Sequence, residues 1–207
     1  SISIVFDQEI VWQQGYGYAD LQEQIPATPA TVYRIGSISK LFTSTAILQL
    51  RDAGKLRLDD PVSLHIPWFE VPNPFPDAPE ITIRQLLNHT SGLFNVFEHP
   101  DFPWVGDDVD YSRRWTKEEV FSRFVLDPYG PPGQVQHYSS TNYLLLTAVL
   151  EEVSGAAVPE QIEQALVKPL HLDHTFVSMG EPPPDSYAVA HPWADVDRDG
   201  QLDDLEG

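Results

Sequence analysis

The chain has 207 residues, 12 Lys+Arg against 31 Asp+Glu, a formal net charge of −19 and no cysteine. That length suffices for one or two compact domains, and a 42% hydrophobic, 11% aromatic composition excludes a disordered acidic polymer. The charge argues against gripping nucleic-acid phosphates or an anionic membrane surface, and without cysteine there is no disulfide, thiolate nucleophile or cysteine-ligated zinc.

Residues 2–6 and 9–18 are rich in β-branched and aromatic side chains around the polar Asp7-Gln8 break, a pattern that predicts a β-hairpin. After a polar stretch at 21–30, a helix is expected from Ser37, with Ile38, Leu41, Thr45 and Leu48 as its apolar stripe and Gly54 as its stop. A second short helix is expected over Thr82–Leu87, ending before Ser91-Gly92. Thr116 is placed to cap a helix running to about Leu126, with Glu118 and Glu119 in its first turn. Further helices are expected from about Thr141 to Val153, stopped by Gly155, and over 158–167 before Pro169. Residues 67–79 and 95–110 read as loops. The longest apolar run, Tyr143–Leu150, is interrupted by Thr147 and is far short of a membrane span. The expected organisation is a first hairpin over 1–20, a mainly helical region over 21–190, and an acidic insertion over 191–207.

Ser37-Ile38-Ser39-Lys40 carries the first chemical signal. If Ser37 opens the helix, Lys40 lies one turn later on the same face, and its amine can reach the Ser37 hydroxyl. The positive field of a helix N-terminus would favour an alkoxide there. On these four residues alone the plainer reading stays open, with Ser37 a helix cap and Lys40 solvated.

The stretch Tyr33–Pro61 around this tetrapeptide resembles the serine β-lactamase and penicillin-binding-protein superfamily. The branch it is most similar to holds class C β-lactamases, D-alanyl-D-alanine carboxypeptidases and related esterases. Ile81–Leu93, Pro132-Gly133 with Tyr138–Leu146, and Lys168–Thr175 match further segments of that branch in order. The resemblance, nearly continuous over 2–178, implies an α+β, β-lactamase-like fold with a helical region and an antiparallel sheet, of which only the first two strands are expected in this chain. It implies Ser37 as an acylated nucleophile, Lys40 as its base or proton shuttle, and Tyr138 as the phenol that relays the proton to the leaving group and later activates water. The backbone N–H of Ser37 would supply one oxyanion donor.

One position departs from the family pattern, Tyr-x-Asn, because the third residue here is Ser140. A hydroxyl reaches less far than an amide and cannot present the same donor and acceptor pair. That tilts the expected substrate toward an ester, or a small amide or peptide, over a β-lactam. The family's third element, His or Lys followed two residues on by Gly, is not matched after Tyr138: Lys168, His171, His174 and His191 are followed at that spacing by Leu170, Asp173, Phe176 and Trp193. The expectation is that the remaining strands stand on an associated C-terminal segment of the same enzyme. By resemblance the compartment is periplasmic or secreted.

Asp195–Glu206 fits a twelve-position calcium loop, with Asp195, Asp197 and Asp199 at positions 1, 3 and 5 and Gly200 at the turn. Gln201 would offer its carbonyl, Asp203 stands at position 9, and Glu206 closes the loop. Pro182–Pro184 and Pro192 preclude a long entering helix, so a structural calcium ion, not a sensor, is the expected cofactor. His171 and His174 lack further ligands at usable spacing. His89 is expected to satisfy a backbone carbonyl at a helix end, and Trp68, Trp104, Trp115 and Trp193 either line a cleft or pack beneath loops. The function expected is hydrolysis of an ester or amide through an acyl-enzyme on Ser37. The alternative is a non-catalytic binding or sensor module that keeps the fold and the calcium loop.

Overall fold

The structure, a computed structural model, describes residues 1–69, 75–102 and 115–177, together with the backbone pairing of 193–194 and 203–204. Two compact units divide the chain: Ser1–Gly36 with His174–Gly207, and Ser37–Asp173.

In the first unit, β1 (Ile2–Phe6) pairs antiparallel with β2 (Glu9–Gln14). Asp7 and Gln8 both take positive φ, at 48° and 68°, which matches the right-handed twist of the strands they join. The register jumps from the Ile4–Trp12 pair to the Val5–Ile10 pair, which leaves Val11 as the extra residue of a bulge. The second strand is shorter than its composition suggests. Gly17 turns to φ 69°, so Tyr18–Asp20 leaves the hairpin and pairs as β3 with β4 (Ile25–Pro26). A third short pair joins β5 (Trp193–Ala194) to β6 (Asp203–Asp204). The architecture is α+β, and the described residues hold two short antiparallel pairs besides the expected one.

The second unit is helical. A 3₁₀ turn, Gly36–Ile38, leads into α1 (Ser39–Asp52). Next come α2 (Ile83–Leu87), α3 (Lys117–Phe124), α4 (Ser140–Ser154) and α5 (Val158–Ile162), the last continuing into a π-helical turn at Glu163–Val167. Thr82 and Thr116 each close a capping box, with Gln85 and Glu119 as the reciprocal partners. Gly155, at φ 72°, ends α4 in the left-handed conformation that only glycine takes without cost.

The central helix is α4, which packs against α1, α2, α3 and α5. Its Leu145, Leu146, Val149 and Leu150 are fully buried, each contributing roughly 1.5–3 kcal/mol of burial free energy. The face of α1 that turns inward is Thr43, Ala46, Ile47 and Leu50. This corrects the expected stripe, since Ile38 and Leu41 are 57% and 66% exposed. The helix carries apolar residues on more than one face, so its own periodicity does not select the buried one; packing against α4 does.

After α2 the chain turns back through Ser91-Gly92. Gly92 has φ 77°, and a Cβ there would collide with the carbonyl oxygen of Gly130. Gly92→Ala is therefore expected to lower stability by about 2–3 kcal/mol, read as a drop in denaturation midpoint at unchanged m-value.

Candidate active site

Helix α1 and the start of α4 place Ser37, Lys40, Tyr138 and Ser140 together within the second unit. Ser37 sits in the 3₁₀ turn, not in the α-helix proper, yet the i, i+3 offset still brings Lys40 to it. Lys40 Nζ donates to Ser37 Oγ at 3.1 Å, and the Tyr138 hydroxyl donates to the same oxygen at 2.8 Å. Lys40 Nζ also donates to Ser140 Oγ at 3.4 Å and lies 5.0 Å from the centroid of the Tyr138 ring. Ser37 Oγ thus receives two donors, an arrangement that stabilises negative charge on that oxygen.

Burial pushes the Tyr138 phenol up, but hydrogen bonding with Lys40 and Ser37, the Lys40 charge and the Ser140 hydroxyl outweigh it, and the net shift is downward. A cation beside a phenol favours the phenolate.

The first turn of α4 is held from outside the helix. Ser139, its N-cap, makes no side-chain cap of its own. Instead the Ser140 N–H donates to Asn95 Oδ1 at 3.0 Å, and the Ser139 N–H donates to His89 Nδ1 at 3.1 Å. The Ser139 and Thr141 hydroxyls both donate to the Phe94 carbonyl, at 3.0 and 2.6 Å, and Thr141 Oγ1 accepts from the Val96 N–H at 2.9 Å. Asn142, fully buried, accepts from Ser91 Oγ at 2.6 Å and donates to His89 Nδ1 at 3.1 Å. On the α1 side, the Tyr143 hydroxyl meets Ser44 Oγ at 3.2 Å and donates to the Leu87 carbonyl.

Asn95, Asn142 and Ser91 carry no motif of their own, and the sequence reading missed them. His89 is a correction: its ring accepts from a backbone N–H where a carbonyl partner was expected. Burial, then the Lys40 charge, lower its pKa against the opposing effect of the Ser139 hydrogen bond.

Trp68 packs edge-on against Phe121 and Trp115 against Phe124, whereas Trp104 lies outside the described residues. Ser91 also lines a cavity of about 420 Å³ walled by Phe69, Phe75, Pro79 and Ile81, which Ser37, Lys40 and Tyr138 do not line. Asp195, Asp197, Asp199, Gln201 and Glu206 lie outside the described residues, and of Asp203 only the strand pairing is described. Among the described residues, His, Asp and Glu form no group of three that could hold a metal ion, and no helix is long and apolar enough to cross a membrane.

A family model described as Beta-lactamase matches residues 1–206. Protein flp of Staphylococcus aureus is 34% identical over 175 residues, which is 84% of this chain and 34% of that protein. An octameric penicillin-binding protein homologue from Pyrococcus abyssi superposes with a TM-score of 0.80 at 31% identity, over 98% of this chain and 45% of that one. A D-stereospecific amidohydrolase from Streptomyces gives 0.74 at 32% identity, over 87% of this chain and 55% of its own length. The chain therefore spans about a third of that curated relative and about half of those structures.

A spectrophotometric tyrosine titration checks the site's electrostatics. The difference between the native protein and Tyr138→Phe is expected to show one phenol ionising below the ordinary tyrosine value of about 10. A difference curve at or above that value would contradict the Lys40–Tyr138 geometry.

Proposed function

The chain belongs to the beta-lactamase family of serine hydrolases, and from that premise we propose that it cleaves an ester or amide through an acyl-enzyme on Ser37. The observation that carries this reading is the pair of donors, Lys40 Nζ and the Tyr138 hydroxyl, on one serine oxygen. Ser37 Oγ attacks the carbonyl carbon, and its proton passes to the Lys40–Tyr138 pair. Tyr138 returns a proton to the departing alcohol or amine as the C–O or C–N bond breaks. Water then attacks the Ser37 ester, giving a proton to Tyr138, and the released serine oxygen recovers one from the pair. Tyr138 serves both half-reactions because its phenol is shifted downward and meets Ser37 directly.

Ser140 sets the preference among substrates. Its hydroxyl faces Lys40, and its backbone N–H is committed to Asn95. Neither group offers a substrate amide the donor and acceptor pair of an asparagine. The reading therefore favours simple esters and small amides over β-lactams, and the amidohydrolase relative is in keeping with it.

Incubation of the full-length protein with a fluorophosphonate is expected to give a stoichiometric adduct on Ser37, seen by mass spectrometry and lost in Ser37→Ala. Tyr138→Phe is expected to lower kcat on p-nitrophenyl acetate by about 10²–10⁴-fold. Penicillin is expected to turn over with a lower kcat/KM than that ester. Absence of any Ser37 adduct would replace this reading with that of a non-catalytic binding module.

For the acidic loop we propose a structural calcium ion, supported by the ligand spacing from Asp195 to Glu206 and by the charge that six carboxylates and one arginine leave uncompensated. Titration with luminescent terbium is expected to saturate one site that calcium competes for. A titration without a stoichiometric endpoint would remove the ion from the account.

A further inference from the structure

His89 has an unusual set of partners for a residue that the proposed reaction does not use. Its backbone stands at φ 59°, a left-handed conformation that a non-glycine residue holds only when its surroundings enforce it. Its carbonyl and its ring make contacts that run to one place. The His89 carbonyl accepts from the His137 N–H at 3.0 Å. His89 Nδ1 accepts from the Ser139 N–H and from Asn142 Nδ2, both at 3.1 Å. The face of the ring lies against the Tyr138 ring, with centroids 4.6 Å apart. One residue therefore grips positions 137, 138, 139 and 142. The backbone neighbours of Tyr138 on both sides are tied to His89.

We propose that His89 is a positioning residue that holds the Tyr138 hydroxyl on Ser37 by accepting, at Nδ1, the hydrogen bonds that anchor the start of α4. The proposal rests on the hydrolase reading above and names a residue that acts on it from behind. Its chemistry is specific. A single nitrogen with two donors aimed at it works only while that nitrogen carries no proton, so the ring must be the neutral tautomer with its hydrogen on Nε2. Protonation at Nδ1 would turn the acceptor into a third donor and break both anchors. The titratable groups that face the ring are Lys40 on α1 and Tyr138 and Tyr143 on the α4 segment. Burial opposes the imidazolium, and the Lys40 charge opposes it further. A lowered histidine value keeps the anchor intact at neutral pH. It is lost as pH falls through that value, and activity on the acid side should fall with it.

Two variants in the full-length protein separate positioning from mere support. Glycine takes φ 59° without strain, so His89→Gly removes the ring while sparing the turn. Asparagine also tolerates that backbone, and its side-chain oxygen can occupy the place of Nδ1 without titrating. With p-nitrophenyl acetate, His89→Gly is expected to lose about 10–100-fold in kcat with KM little changed, the size of effect that misplacing a reacting group produces. His89→Asn is expected to recover most of that loss, and its kcat/KM profile should lack the acid-side step of the native protein below the ordinary histidine value. Native kcat in His89→Gly, no recovery in His89→Asn, or an unchanged acid limb in His89→Asn would each overturn the proposal. A native protein that takes no fluorophosphonate at Ser37 would sink the hydrolase reading and this one together. A labelled native protein with insensitive His89 variants would sink this one alone.

Discussion

The site depends on how the first turn of α4 is capped. A helix N-terminus leaves four N–H groups without intrahelical partners, and here the residue placed to cap them, Ser139, turns its hydroxyl to Phe94 instead. The open donors are taken by Asn95 and His89, side chains from the segment after α2. Satisfying the backbone and placing the chemistry thus become one act. The contacts that close the end of α4 also fix Tyr138 just before it and Ser140 just inside it. Burial of Ser139, Thr141 and Asn142 raises the stakes, since each unmet polar group there would cost about 1–3 kcal/mol.

The electrostatics follow from the same packing. Lys40 reaches Ser37, Ser140 and the Tyr138 ring from α1, and it acts on two titratable groups at once. Its charge favours the Tyr138 phenolate and disfavours a His89 imidazolium. Both effects suit one protonation pattern, in which the phenol can give and take a proton while the imidazole behind it stays an acceptor.

The parts of this arrangement legible in the sequence were those that depend on local geometry or on a resemblance read segment by segment. The Ser37–Lys40 offset is an i, i+3 relation that survives even though Ser37 lies in a 3₁₀ turn. Thr116 with Glu119 is a capping box readable in four residues. Tyr138 came from its place within a longer matching segment, since an aromatic before a helix says nothing alone. What stayed hidden was set by packing between distant segments. The buried face of α1 differs from the expected stripe because that helix carries apolar residues around much of its girth, and α4 chooses among them. His89, Asn95 and Asn142 have ordinary polar side chains, and their roles come from partners roughly fifty positions away. No periodicity records such a pairing.

The span between Ser37 and Tyr138, 101 positions, also shapes the life of the chain before it is folded. During synthesis at about 5–20 residues per second, the serine would leave the ribosome roughly 5–20 s before the phenol that partners it. Through that interval Ser37 has Lys40 at its i, i+3 offset but lacks the Tyr138 hydroxyl, the second donor to its oxygen. The two-donor arrangement on that oxygen forms only when the long segment between them closes. On the proposed reading, an unfinished chain holds the serine and the lysine without the phenol, and the constellation is complete only once the structure that restrains it has formed.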